Sequence, residues 1–216
     1  MSLQQPINVV LADDHAMVRE SLARVLDASG SIVVIAQAGD GSGLLELVGQ
    51  HHPDCLVMDF SMPDHDAPHS IENLLAHFSS LKILVLTVHE NVHYAVRALE
   101  AGAHGYLIKS AAVEELVEAI RTVHEGDVYI SRKISAEVWS HMRRPKRQRE
   151  GLESLSQREF DVLRILGSGA TPLECAQQLH VSNSTVSTYR ARILEKLSLG
   201  STSELIRFAI ENKIVG

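Results

Sequence analysis

Five short apolar runs mark the first half of the chain, and three of them end on a polar residue. They are INVVLA (7–12), SIVVIAQA (31–38), CLVMD (55–59), KILVLT (82–87) and GYLIK (105–109). All are brief and rich in Val, Ile and Leu, the pattern of strands buried on both faces. The segments between them carry helical spacing instead. AMVRESLARVLDASG sets Met17, Leu22, Val25 and Leu26 along one side and closes on Gly30, NVHYAVRALEAG closes on Gly102, and AVEELVEAIRTVHEG closes on Gly126. Glycine just past the last periodic residue is a helix stop. Five strands alternating with five helices predict a doubly wound, five-stranded parallel α/β sheet.

The pattern changes after residue 128. SRKISAEVWSHM predicts one helix with Ile134, Val138 and Trp139 as a small apolar face. RRPKRQREG then reads as a basic, Pro-broken linker, in which Arg143, Arg144, Lys146 and Arg147 are either a solvated tether or a nonspecific phosphate attractor. Beyond it, LSQREFDVLRILGSG opens on Ser156 with Glu159 three residues on, a capping box. TPLECAQQLH places Thr171 as N-cap and Pro172 at the first helical position. VSNSTVSTYRARILEKLSLG opens at Ser182, with Val186, Ile193, Leu194 and Leu197 facing inward. STSELIRFAIENKIV is a final amphipathic helix. Four short helices joined by tight turns fit a small all-α helix-turn-helix domain. The predicted division is 1–128, 129–152 and 153–216.

Charge sharpens that division. The net charge is −7 over 216 residues, but residues 1–128 carry −12, residues 129–152 carry +5, and residues 153–216 balance to 0. An acidic front, a basic connector and a neutral tail imply domains with different partners. No apolar run reaches the roughly 18 residues of a membrane span, and MSLQQPINVV lacks a signal-peptide pattern. A cytoplasmic protein is expected, with Cys55 and Cys175 reduced in the core.

Polar residues at the strand ends carry the chemistry. In a doubly wound sheet the site lies outside the carboxyl ends of the strands, where strand order reverses. Asp13 and Asp14 follow the first strand, Asp59 closes the third, Thr87 the fourth and Lys109 the fifth. Two carboxylates about 4 Å apart repel by ~4 kcal/mol at an effective dielectric near 20, so three on one rim need protons or a cation. Oxygen ligands suit Mg²⁺. A nucleotide enzyme is disfavoured, because DDHAMV offers no phosphate-cradling glycine and no G-x-S-x-G elbow occurs. The spacings His65/His69 and His89/His93 are compatible with zinc on a helix, but fit solvated histidines beside a loop and a helix start better.

LADDH, VMDFSMP, VLTVHE and GYLIKS, in this order, resemble the receiver domain of two-component response regulators. LSQRE, VLRILGSG, VSNSTVSTYRARILEKL and ELIRFAI resemble the LuxR-type DNA-binding domain of the NarL/FixJ type. The resemblance implies that Asp59 accepts a phosphoryl group from a sensor histidine kinase. It implies that Asp13, Asp14, Asp59 and the backbone carbonyl of Ser61 hold Mg²⁺. Lys109 and Thr87 would contact the phosphoryl oxygens, and Tyr106 would turn with Thr87. On the helix after Ser182, Ser187, Thr188 and Ala191 would face bases of double-stranded DNA, and Thr185, Arg192 and Lys196 phosphates. The implied function is a phosphorylation-switched transcription regulator, active as a homodimer. It is not an enzyme beyond phosphoryl transfer to Asp59 and its hydrolysis. The alternative is a phosphorylation-independent regulator whose receiver is a dimerisation or protein-binding module. Leu205, Ile206, Ala209 and Ile210 either form a dimer contact or complete the tail core. Two segments depart from the family: MPDHDAPHS stands where glycines are usual, and TPLECA stands for NKEIA.

Overall fold

The computed structural model describes residues 5–62, 66–111, 113–143 and 150–215. The chain divides into two compact units, Met1–Trp139 and Ser140–Gly216. In the first unit the apolar runs become β1 (Ile7–Ala12), β2 (Ile32–Ala38), β3 (Cys55–Met58), β4 (Lys82–Thr87) and β5 (Gly105–Ile108). They alternate with α1 (Ala16–Ala28), α2 (Leu44–His51), α3 (Ala67–His77), α4 (Val92–Glu100) and α5 (Val113–Glu125). A two-residue β6 (Tyr129–Ile130) follows, then α6 (Ser135–Met142).

Strand order is β2-β1-β3-β4-β5-β6, and every neighbouring pair is parallel. The order reverses between β1 and β3, which places the sheet's crevice beside their carboxyl ends. All four residues of β3 and of β5 are buried, as a continuous apolar run requires of a central strand. One face of the sheet packs Val9, Leu11, Val57, Leu84 and Leu107 against Leu26 of α1 and Ile120 and Val123 of α5. The residues that alternate with these, among them Val10, Leu56, Ile83 and Val85, are equally buried.

Several details differ from the periodicity. Met17 is 84% exposed and Val25 39% exposed, so the inward side of α1 rests on Ala23 and Leu26. Pro68 sits in the first turn of α3, where a missing N–H costs nothing, and Asp66 caps that helix by accepting from the His69 amide. Pro63, Asp64 and His65 lie outside the described residues. The sixth strand carries no periodic signal because two residues are too short for one. It nonetheless extends the ladder: the Tyr129 amide donates to the His104 carbonyl, and the Ser131 amide to that of Tyr106 at 2.8 Å. In α6, Ile134 just before it and Val138 within it are buried, whereas Trp139 is half exposed.

The second unit is helical: a 3₁₀ turn at Gly151–Ser154, then α7 (Gln157–Gly167), α8 (Pro172–Gln178), α9 (Asn183–Lys196) and α10 (Thr202–Glu211). Side-chain caps open each helix at Ser156, Thr171, Ser182 and Ser201, and both α7 and α8 carry complete capping boxes. The turn from α8 to α9 does not use glycine. His180 takes the left-handed conformation at φ 52°, which histidine tolerates better than most side chains. Buried Leu163, Val186, Ile193, Leu205 and Ala209 form the centre of this unit.

Glycine is required where α7 meets α10. A Cβ on Gly167 would lie 2.5 Å from the Cβ of Ala209, and neither backbone can yield without parting the helices. Gly167→Ala should therefore lower the unfolding free energy of this unit by about 1–3 kcal/mol in urea melts, the range for overpacking a core. An unchanged midpoint would mean the two helices are free to separate.

Candidate functional site

The β-ladder delivers the acidic residues to one place. The Asp13 amide donates to the Ala38 carbonyl, and the Asp59 amide to that of Ala12 at 2.8 Å, so both residues continue the sheet to its rim. On the other side, the Lys109 amide donates to the Thr87 carbonyl at 2.7 Å. Asp13, Asp59 and Thr87 are buried polar residues at 4%, 3% and 0% exposure. The Lys109 Nζ lies 2.6 Å from Asp13 Oδ2 and 2.7 Å from Asp59 Oδ2. Burial works against the charged ammonium, but its hydrogen bonds to Asp13 and Asp59 outweigh that, and its pKa lies above the ordinary lysine value.

The remaining lone pairs are partly satisfied by backbone. Asp59 Oδ1 accepts from the Ser61 amide at 3.1 Å, and Asp13 Oδ1 from the His15 amide at 2.9 Å. The guanidinium of Arg19 donates to the Asp13 carbonyl. Asp14 is different: its Oδ1 is buried with no aligned hydrogen-bond partner. Asp13, Asp14, His15 and Asp59 each offer a ligand atom, all within 4.8 Å of one another. Three carboxylates facing a single ammonium leave the rim acidic, an arrangement that favours a divalent cation.

Thr87 and Tyr106 are linked through His89. The His89 amide donates to Thr87 Oγ1 at 3.3 Å, and the Tyr106 hydroxyl donates to the His89 carbonyl at 2.9 Å. Tyr106 is fully buried, so its ring already points inward. Burial, then the neighbouring Tyr94 and Asp59, push its phenol well above the usual value. His89 is not the solvated histidine that its place before α4 predicts. Its Nε2 instead stands 2.7 Å from Ser61 Oγ, and its ring stacks on Tyr94 with centroids 4.5 Å apart. The signal lay in its position two residues beyond Thr87. His15 was also missed, although it directly follows the acidic pair.

In the second unit, α9 turns Val186 and Ile193 inward and leaves Ser184, Ser187, Thr188, Ala191 and Arg192 exposed. Thr185 is half-buried at the N-terminal end, where its hydroxyl meets Ser182 Oγ at 2.7 Å. Lys196 reaches back to Glu159 Oε2 at 2.7 Å and to the Ser154 carbonyl at 3.0 Å. That ammonium serves the buried capping carboxylate of α7. Burial opposes the charge on Glu159, and the bonds from Lys196 and Ser156 overcome it, so its pKa falls below the ordinary value. In α10, Leu205 and Ala209 are buried in the core, Ile206 is half-buried and Ile210 is 55% exposed.

Among the described residues no helix is long and apolar enough to cross a membrane. Residues 9–121 match the family profile of the response regulator receiver domain, and residues 153–209 that of bacterial regulatory proteins, luxR family. The oxygen regulatory protein NreC of Staphylococcus carnosus is 34% identical over 215 residues, spanning 97% of this chain and 99% of the relative. A solved structure of the RcsB response regulator of Salmonella typhimurium shares the fold, with a TM-score of 0.77 at 24% identity over 97% of this chain and 99% of that one. RcsB from Salmonella enterica serovar Typhimurium, bound to promoter rprA in the presence of the phosphomimetic BeF3⁻, aligns with a TM-score of 0.72 at 25% identity, covering 94% and 98% of the two chains. With an acidic receiver rim in one unit and a helix-turn-helix in the other, the chain belongs to the response regulators with a luxR-type output domain, the DNA-binding regulators of two-component systems.

Proposed function

We propose that Asp59 is the phosphoacceptor and that its phosphorylation by a sensor histidine kinase switches DNA binding by the second unit. The observation that carries this reading is the Lys109 ammonium bridging Asp13 and Asp59, 2.6 and 2.7 Å away, at the point where strand order reverses. An Asp59 oxygen attacks the phosphorus of the kinase's phosphohistidine, the P–N bond breaks, the imidazole leaves and an acyl phosphate forms. Such transfer depends mainly on positioning and charge neutralisation.

The donor set fits Mg²⁺: clustered carboxylates, hard oxygen ligands and an Asp14 oxygen with no hydrogen-bond partner. Asp13, Asp14, Asp59 and the backbone carbonyl of Ser61 would hold it. When bound, the ion neutralises charge on the phosphoryl oxygens. Lys109 supplies the fixed positive charge on the opposite side. Thr87 turns to donate its hydroxyl to a phosphoryl oxygen, and the His89 loop, whose amide that hydroxyl accepts, follows, shifting the carbonyl to which Tyr106 is tied.

Residues 1–128 act as receiver, 129–152 as connector and 153–216 as output domain, in a cytoplasmic protein. On α9, Ser187, Thr188 and Ala191 face base edges. Ser187 and Thr188 each donate to the carbonyl four residues back at 3.0 Å, leaving lone pairs to accept from bases. Thr185 and Arg192 face phosphates. Lys196 adds positive charge at the helix end while bracing Glu159. A homodimer reads two half-sites, as two-fold operators require, and exposed Ile210 with Ile206 offers part of its contact.

Replacing Asp59 by Asn gives the first check. Gel-shift and sedimentation assays with Mg²⁺ and a small-molecule phosphodonor should show wild-type dimerisation and promoter affinity rising about tenfold, in the usual range of allosteric coupling. The variant should show no rise; an equal response would mean Asp59 is not the switch and would favour the phosphorylation-independent reading. For the second unit, Ser187→Glu with Thr188→Glu should abolish sequence-specific binding and leave the helical circular dichroism unchanged. Specific binding that survives would assign recognition to another surface. Finally, Lys109→Met should cost about 3 kcal/mol of stability in chelator, because a buried charge loses its partner. Mg²⁺ should restore much of it; equal losses with and without Mg²⁺ would argue against a shared cation.

A further inference from the structure

We propose that the exposed face of α9 reads A·T pairs, with Ser187 and Thr188 accepting from adenine amines and Ala191 meeting a thymine methyl. The inference rests on the reading of α9 as the recognition helix and names what that helix recognises. Ala191 lies four residues beyond Ser187 and three beyond Thr188, so the three form one patch on the helix surface. All three are exposed, while Val186 and Ile193 turn into the core.

The patch is small, neutral and already committed in its protons. A hydroxyl has one proton and two lone pairs. Ser187 Oγ donates its proton to the Asn183 carbonyl, and Thr188 Oγ1 donates to the Ser184 carbonyl, each at 3.0 Å. Both oxygens are therefore left to act as acceptors. To donate to a keto oxygen, either side chain would first have to give up its bond to the backbone. The hydroxyls one turn earlier are engaged as well: Ser182 Oγ lies 2.7 Å from both Ser184 Oγ and Thr185 Oγ1.

The major groove offers two kinds of donor to such oxygens, adenine N6 and cytosine N4. Guanine shows O6 and N7, both acceptors, and is ordinarily read by arginine or lysine. The cations of α9 are placed elsewhere. Lys196 is held by Glu159 and the Ser154 carbonyl, the Arg190 guanidinium donates to Thr202 Oγ1 at 3.2 Å, and Arg192 stands at the margin of the patch. Amines alone would allow adenine or cytosine. Apolar surface decides between them, because Ala191 and the Thr188 methyl suit the thymine methyl, which a G·C pair lacks. Asn183, exposed one turn before Ser187, carries the amide that pairs with adenine by two bonds.

Selection from a randomised duplex pool by the full chain, with Mg²⁺ and acetyl phosphate, should return half-sites with A·T pairs at the core. In the selected operator, purine deoxyriboside in place of adenine removes the amine, and deoxyuridine in place of thymine removes the methyl. Each should weaken binding about fivefold or more at the contacted positions, the scale of a mismatched pair. Replacing guanine by 7-deazaguanine should change binding by less than about twofold. Ser187→Ala should weaken binding of the intact operator as much as removing its partner amine does, and should then be indifferent to that removal. A core of G·C pairs overturns the proposal, as do losses to 7-deazaguanine as large as those to amine removal. So does a chain with Ser187→Ala and Thr188→Ala together that stays as sensitive to amine removal as wild type. Specific binding that survives Ser187→Glu with Thr188→Glu, or a pool that yields no preferred sequence, rejects α9 as the reading helix itself, a result distinct from these.

Discussion

Two buried carboxylates cannot share one edge of a sheet unless something positive stands between them. The ammonium of Lys109 meets that constraint, and much of the first unit follows from it. It fixes where β1, β3 and β5 must end, since Asp13, Asp59 and Lys109 each lie just past a strand whose register the central ladder sets. It also leaves the rim negative. One ammonium neutralises one of three acids, so the site remains ready for a cation and, after it, for an anion. A fully neutralised cluster would be more stable and less useful, because it would attract neither.

The second unit solves a similar problem differently. Glu159 is buried at the start of α7 as half of a capping box, and Lys196 at the far end of α9 neutralises it. The pair joins the first helix of the unit to the last turn of the one that carries Ser187, Thr188 and Arg192. The orientation of that exposed face therefore rests on an ion pair as well as on apolar packing by Val186 and Ile193.

Much of this was legible in the sequence because the signals were local or periodic. Apolar runs of Val, Ile and Leu gave five strands, and Ser156, Thr171 and Ser182 announced their helices through hydroxyls that accept from the next turn. The rim residues were legible because each sits where a run stops. What escaped had no period. Tyr129 and Ile130 are a strand only because the edge of β5 is there to receive them. His89 looked like one more polar residue before a helix, because its partners Ser61 and Tyr94 come from other parts of the chain. Met17 and Val25 fit an apolar stripe that α1 does not bury, since spacing specifies a face but not its width. The engagement of Lys196 with Glu159 spans 37 residues and leaves no trace in either helix alone.

The two-residue strand β6 gives the connector an unusual anchor. The backbone that leaves the sheet is hydrogen-bonded, through the amide of Ser131, to the carbonyl of Tyr106, whose hydroxyl donates to the His89 carbonyl. The first unit thus holds its chain past the end of β5, through buried Ile134 and Val138, as far as Trp139. The peptide of Tyr106 thus ties the chain leaving the sheet to the same residue whose hydroxyl reaches the His89 carbonyl beside the rim.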